Sequence, residues 1–166
     1  MDIYTWWATA TLVLAITVNT FTVHSQKKYK IYNKYFGKSA QVVHVAIISV
    51  VWGAFVLAAY NLNQSDWRLL QAYPLGGAAL LLLALVIFVA AYVQIGSDGI
   101  VNANFFGKKT KKLQGIYNFM PEPMYVSYTL LLLGLAVRTG IKGYFLLAII
   151  AAVGFAVESR VESVDS

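Results

Sequence analysis

Long apolar runs alternate with short polar connections along the whole chain. Three runs, at residues 3–23, 42–62 and 73–95, each contain about the number of residues that a membrane-spanning helix needs. A helix crosses a hydrocarbon core of about 30 Å with roughly 20 apolar residues, because each residue adds only about 1.5 Å. A crossing segment must also satisfy its own backbone hydrogen bonds, so these runs predict helices.

Two further apolar runs, at residues 124–137 and 141–157, are shorter and lie close together in the sequence. They predict a tight helical hairpin whose ends lie in the headgroup region. No internal repeat or linker divides the chain, so residues 1–166 form one predicted domain. The predicted fold class is an all-α, multi-pass integral membrane protein with about five transmembrane helices, the last two forming the short hairpin.

Composition supports a membrane protein and excludes several kinds of site. Of the 166 residues 59% are hydrophobic and 12% are charged, whereas soluble domains carry about 25% charged residues. The absence of cysteine excludes disulfides, thiolate metal sites and cysteine nucleophiles. His24 and His44 are far apart in the sequence and make a poor ligand set, so no metal is expected. The start, MDIYTWW, lacks the basic segment of a secretory signal, which predicts that the first span is retained.

Lysine residues predict the orientation in the membrane. The net charge is +6, and the lysines flank apolar runs, which favours contact with anionic lipid headgroups over nucleic acid. They concentrate in the first and third connections, which the positive-inside rule places in the cytoplasm. These lysines are Lys27, Lys28, Lys30, Lys34 and Lys38, followed by Lys108, Lys109, Lys111 and Lys112.

The third connection, residues 96–123, is the longest polar segment and reads GSDGIVNANFFGKKTKKLQGIYNFMPEP. Gly96 and Gly99 directly follow the third span, where glycine permits positive φ and close approach of a ligand to the backbone. Asn102 and Asn104 add neutral hydrogen-bonding side chains. A ligand loop and an ordinary solvated loop with turn glycines are both compatible with this spacing.

The end of this connection forms a rigid acidic elbow. Pro121 and Pro123 restrict the backbone, and a helix can begin at or just after Pro123. Glu122 then lies at the positive end of the helix dipole, which favours its ionised form. Tyr125 and other aromatic residues surround this carboxylate in the sequence. An ordinary acidic helix start with an interfacial tyrosine is the simpler interpretation of the same residues.

Two further acids follow the fifth apolar run. Glu158 and Glu162 lie one helical turn apart on one helix face, and carboxylates so close to lipid are costly unless paired or functional. A tight hairpin would return Glu158 to the level of Glu122, so that two acids converge on the glycine-rich loop. A solvated helix end is the alternative.

The segments IGSDGIVNANFFG and NFMPEPMY, followed by a short hairpin that ends in an acid, resemble the phospholipid N-methyltransferases. These enzymes convert phosphatidylethanolamine toward phosphatidylcholine and belong to a wider membrane group that includes isoprenylcysteine carboxyl methyltransferase. The resemblance covers about residues 90–162. It implies S-adenosylmethionine as the cofactor, a membrane phospholipid as the substrate and an active site on the cytoplasmic face of the bilayer.

Residue by residue, Gly96 and Gly99 match the family's glycine motif, Phe106 and Gly107 match the Phe-Gly after it, and the segment 123–125 matches the start of the hairpin. The cofactor-binding residues that the resemblance implies are Gly96, Gly99, Asn104, Pro123, Tyr125, Glu158 and Ser159. The implied catalytic residues are Glu122 and Glu162 as candidate bases and Tyr125, whose ring would face the sulfonium.

Two departures from the family pattern keep other functions open. Ser159 stands where the family has the second acid of a Glu-Glu pair, and Pro121 and Glu122 stand where the prenyl-protein branch has Arg-His. The alternatives are a methyltransferase for another lipophilic acceptor, such as a prenyl-cysteine carboxylate, and a catalytically degenerate scaffold subunit. A transporter is disfavoured because the first three spans contain few ionisable residues. The sequence leaves open whether the chain forms a homo-oligomer.

Overall fold

The computed structural model describes residues 1–68, 71–100, 103–106, 115–120 and 122–163, with the side chains of 97–100, 103–104 and 162–163 excepted. The described part of the chain contains six α-helices, numbered here in chain order. They are α1 (Ile3–Tyr29), α2 (Ile31–Phe36), α3 (Ala40–Asn61), α4 (Pro74–Ile100), α5 (Pro123–Thr139) and α6 (Lys142–Ser163). The predicted all-helical fold class is confirmed.

The long helices pack in the spatial order α3, α1, α6, α5 and α4. Helix α6 therefore lies between α1 and α5, and its inward side chains, among them Leu147, Ala151 and Phe155, are buried. The end of α1, the end of α4, the start of α5 and the end of α6 all lie at one end of the bundle, here called the site end. Because α5 and α6 are neighbours, the start of α5 lies beside the end of α6, as the predicted hairpin requires.

Among the described residues, four helical segments are long and apolar enough to cross a membrane. They are Ile3–Tyr29, Ile31–Gln64, Pro74–Gly96 and Lys142–Val161. Helix α5 has 17 residues, and its bounds lie within two residues of the predicted run 124–137. It spans about 25 Å at 1.5 Å per residue. Helix α6 is longer than the apolar run that predicted it, because the helix continues through polar residues for a total of 22 residues.

Helix α1 also continues beyond its apolar run, so part of the predicted first loop is helical. Lys27 and Lys28 lie in its last turn, where cations interact favourably with the negative end of the helix dipole. The residue after the helix, Lys30, caps its C-terminus with φ 53° and ψ 34°, and its N–H donates to the carbonyl of Gln26. Helix α2 begins at the next residue.

Glycine allows two of the helix pairs to approach closely. A Cβ at Gly77 of α4 would stand 2.4 Å from the backbone nitrogen of Arg138 on α5. A Cβ at Gly154 of α6 would stand 2.6 Å from Cδ1 of Ile16 on α1. Small residues commonly line such contacts between membrane helices. These contacts hold α4 close to α5 and α6 close to α1.

Candidate functional site

Glu158 is completely buried, with 0% of its surface exposed, on the inward face of α6. Its Oε1 accepts a hydrogen bond from the side-chain amide of Asn19 on α1, and Asn19 is itself only 7% exposed. The close approach of α1 and α6 at Gly154, one turn before Glu158, brings the two side chains within reach. The candidate cofactor acid therefore interacts with the first helix.

Ser159, the next residue of α6, contacts the start of α5. Its hydroxyl donates to Oε1 of Glu122 at 3.4 Å. The Glu122 side chain makes no capping hydrogen bond to its own helix, and it interacts with α6 through Ser159. Two successive residues of α6, Glu158 and Ser159, thus join α1 and α5 at the site end.

Burial determines the electrostatics of Glu122. Loss of solvation raises the pKa of its carboxyl group above the ordinary value, and the hydrogen bond from Ser159 opposes that rise without cancelling it. The sequence predicts that the helix dipole favours the ionised form of Glu122, whereas desolvation acts in the opposite direction and raises its pKa overall.

A neutral phenol lies near this carboxylate. Burial, together with the nearby Glu122 and Tyr128, raises the pKa of Tyr117 to about 12. Tyr117 therefore keeps its hydroxyl proton throughout the neutral pH range and remains able to donate a hydrogen bond. The sequence places aromatic residues around Glu122 but does not assign them this role.

Tyr125 is stacked within the protein. Its ring lies parallel to Phe155 of α6, with 4.7 Å between the centroids and 6° between the ring planes, next to the buried Pro123 and Met124. One ring face is therefore covered by Phe155. A sulfonium could contact Tyr125 only at the other ring face or at the ring edge. This restricts the contact between ring and sulfonium that the family resemblance implies.

Gly96 interrupts α4 with φ 68° and ψ −178°, a combination that essentially only glycine adopts. No described atom lies within 4 Å of the position where a Cβ at Gly96 would stand. Gly99 lies in the helical segment after this break. Further along, Gly115 has φ 60°, and a Cβ there would stand 3.1 Å from Nε2 of Gln94. The polar connection therefore returns to the end of α4.

The segment after the break is anchored to α1 and α2 by a residue that the sequence pattern does not reveal. Gln26 of α1 donates through Nε2 to the carbonyl of Phe105 at 3.1 Å, and its Oε1 accepts from the Tyr32 backbone N–H at 3.1 Å. The Phe106 ring lies 5.2 Å from the ring of His44 on α3. The aromatic pair after the glycine motif therefore packs on the first half of the chain.

Several predicted positions lie outside the described residues. Asn102, Gly107 and Pro121 belong to undescribed segments. For Asn104, in the short 3₁₀ turn Ala103–Phe106, and for Glu162, in α6, only the backbone is described. The site end as described therefore consists of Gly96, Glu122, Pro123, Tyr125, Glu158 and Ser159, together with Asn19, Gln26 and Tyr117.

These groups fit the functional groups of S-adenosylmethionine. Carboxylates such as Glu122 and Glu158 pair well with an ammonium group or with ribose hydroxyls. The backbone at Gly96 has open surroundings among the described atoms, as contact with main-chain amides requires. Because Glu158 is fully buried, direct contact between its carboxylate and a cofactor requires that neighbouring groups move aside.

Gly96→Ala is expected to destabilise the protein by about 1–3 kcal/mol, because alanine cannot occupy this backbone conformation without strain. With no described atom within 4 Å of the new Cβ, strain and not collision causes the loss. Thermal unfolding in detergent measures it, with Gly53→Ala as the control, since Gly53 lies within α3 and also has no described atom within 4 Å. Equal melting temperatures for the two variants would contradict the strained break.

Comparison with models of known protein families gives a match to this chain. The sequence model described as phospholipid methyltransferase matches residues 73–164, more than half of the chain and all of α4, α5 and α6. Searches of curated proteins and of solved structures found no match.

Proposed function

Because the chain belongs to the phospholipid methyltransferase family, we propose that it transfers a methyl group from S-adenosylmethionine to the amino headgroup of a membrane phospholipid, converting phosphatidylethanolamine toward phosphatidylcholine. The observation that carries the proposal is the hydrogen bond between Glu122 and Ser159. It brings the start of α5 and the end of α6 together, immediately beside the buried Glu158 and at the same end of the bundle as the Gly96 break.

The cofactor, when bound, supplies an electrophilic methyl group on a sulfonium. Glu158 would hold its ammonium or ribose hydroxyls, and the backbone at Gly96 and Gly99 would hold its other end. The remaining proposed contacts come from the α5 start, the α6 end and the turn after the break, through Pro123, Tyr125, Ser159 and Asn104. Holding donor and acceptor in the correct orientation can lower the barrier by roughly 7–11 kcal/mol.

An amino headgroup must lose a proton before it attacks a methyl group. We assign this proton to Glu122, with Glu162 as the second candidate base. The pKa of the Glu122 carboxyl group is raised by burial, and a base works best when its pKa is near the working pH. Tyr117 keeps its proton and would provide a neutral hydrogen-bond donor beside the base.

A site at one end of long apolar helices would suit a phospholipid substrate. The helical segments that are long and apolar enough to cross a membrane would leave the acyl chains in the bilayer and the headgroup at the site end. Lys27, in the last turn of α1, lies there too, since its Nζ donates to the carbonyl of Val161 at 3.4 Å. Together with its neighbouring lysines it would attract the phosphate of the headgroup. We propose that this end faces the cytoplasm.

Membranes containing the protein, incubated with S-adenosylmethionine labelled on its methyl group, test the proposal. Label recovered in extracted lipid, and in methylated phosphatidylethanolamine by chromatography, is the expected result. Label found on protein would favour a prenyl-cysteine acceptor. Absence of both transfer and cofactor binding would favour a scaffold subunit. Membranes without the protein provide the background.

The rate of methyl transfer is expected to fall as the pH decreases through the raised pKa of Glu122, because the protonated carboxyl group cannot accept a proton. Glu122→Gln should lower kcat by about 10²–10⁴-fold, the usual contribution of a general base, and remove this acidic limb from the profile. The pH dependence of kcat, measured for both proteins with saturating lipid, provides the check. An unchanged acidic limb in the variant would assign the titration to another group.

A further inference from the structure

Asn19 is a polar residue within the first membrane-spanning helix, and its side-chain amide is directed to the acid at the far end of the chain. The amide donates to Glu158, and both side chains are buried. A buried amide without a partner would cost free energy. The hydrogen bond to Glu158 avoids this cost and explains how an asparagine can be buried within α1. Helix α1 lies outside residues 73–164, the part that the family match covers.

The amide is well suited to hold a carboxylate in one orientation. It is a neutral donor, so it directs Oε1 of Glu158 without adding a positive charge of its own. On one side of Asn19 a hydrogen bond lies within α1 itself, and on the other side α1 packs against α6. The hydroxyl of Thr22 donates to the Asn19 carbonyl at 2.9 Å, and Ile16 packs against Gly154 one turn away.

We propose that Asn19 is a positioning residue for the cofactor site, which acts by fixing the carboxylate of Glu158. The inference rests on the proposed function, in which Glu158 holds the cofactor. It makes the first helix part of the site, so that the cofactor pocket depends on α1 as well as on the three matched helices. Asn19 itself has no contact with the methyl group or the acceptor in this proposal.

The test measures the affinity of the purified protein for S-adenosylmethionine by calorimetry, for the wild type, Asn19→Leu, Glu158→Gln and the double variant. Asn19→Leu should weaken binding by about tenfold or more, the range for a lost hydrogen bond to a charged group. The loss of binding free energy in the double variant should be smaller than the sum of the two single losses, because residues in contact are not additive. The KM for the phospholipid should be unchanged in Asn19→Leu.

Asn61→Leu is the matched control. Asn61 is also a helical asparagine, but its amide donates to the Leu57 carbonyl of its own helix at 2.8 Å, at the opposite end of the bundle. This variant should bind the cofactor like the wild type. If Asn19→Leu does not fold, Asn19→Ala replaces it, because the smaller side chain adds no bulk between α1 and α6.

The outcomes separate the two proposals. A wild type that binds no cofactor overturns the proposed function and this inference with it. A wild type that binds, with an Asn19 variant of equal affinity, overturns the inference and leaves the proposed function standing. Losses that add fully in the double variant would also overturn it, because Asn19 would then act independently of Glu158.

Discussion

Glu158→Gln is expected to weaken binding of S-adenosylmethionine by roughly 10- to 150-fold while the protein still folds. Glutamine keeps the size of the side chain and an oxygen that can accept the hydrogen bond from Asn19, so the buried contact between α1 and α6 survives. The negative charge is lost, and a hydrogen bond involving a charged group contributes about 1.5–3 kcal/mol, which corresponds to that range of affinity. Calorimetric titration of the purified protein measures it.

Two further variants separate the loss of the Glu158 charge from the loss of its hydrogen bond and from the role of Glu122. Glu158→Ala should lose binding and also unfold at a lower temperature, because it leaves the buried amide of Asn19 without its acceptor. Glu122→Gln should retain the affinity for the cofactor and lose turnover, since Glu122 is proposed to act on the acceptor. A Glu158→Gln protein with wild-type affinity would remove Glu158 from the site.

Gly77→Ala is expected to produce the largest loss of stability. The added Cβ would stand 2.4 Å from the backbone nitrogen of Arg138 and 2.5 Å from its Cα. Backbone atoms cannot rotate away as a side chain can, so α4 and α5 must separate. Overpacking of this kind costs about 1–3 kcal/mol and sometimes more. Thermal unfolding in detergent, monitored by circular dichroism, should show a clear decrease in melting temperature.

Gly53→Ala provides the control for the chemistry of the substitution. It adds the same methyl group to a helix, where no described atom lies within 4 Å, and alanine in a helix interior is favoured over glycine by about 0.5–1 kcal/mol. Its stability should be equal to or slightly above that of the wild type. Similar destabilisation of both variants would show that close packing of α4 on α5 is not the cause.

Much of the fold could be predicted from the sequence because the membrane imposes strong rules. Each apolar run became a helix, since no other structure satisfies its backbone in lipid. Pro123 begins α5, and the break at Gly96 follows the third apolar run. The predicted approach of the hairpin's two ends is present as the contact between Glu122 and Ser159.

The contacts between distant helices were not predictable in the same way. Hydropathy identifies membrane helices but does not determine which of them are neighbours, because lipid and helix surfaces are similarly apolar. The hydrogen bonds of Asn19 with Glu158 and of Gln26 with Phe105 depend on α1 lying beside α6 and beside the segment after α4. The raised pKa of Glu122 likewise depends on burial by neighbouring elements.

The contact between Asn19 and Glu158 joins residues that are 139 positions apart, which has a consequence for biosynthesis. Domains of a growing chain fold from the N-terminus onward, so Asn19 enters the bilayer well before its acceptor has been translated. Until α6 is inserted, this amide must find another partner, such as water or lipid headgroups, or bear the cost of being unpaired. Insertion of α6 therefore provides the Asn19 amide of α1 with its hydrogen-bond acceptor, Glu158.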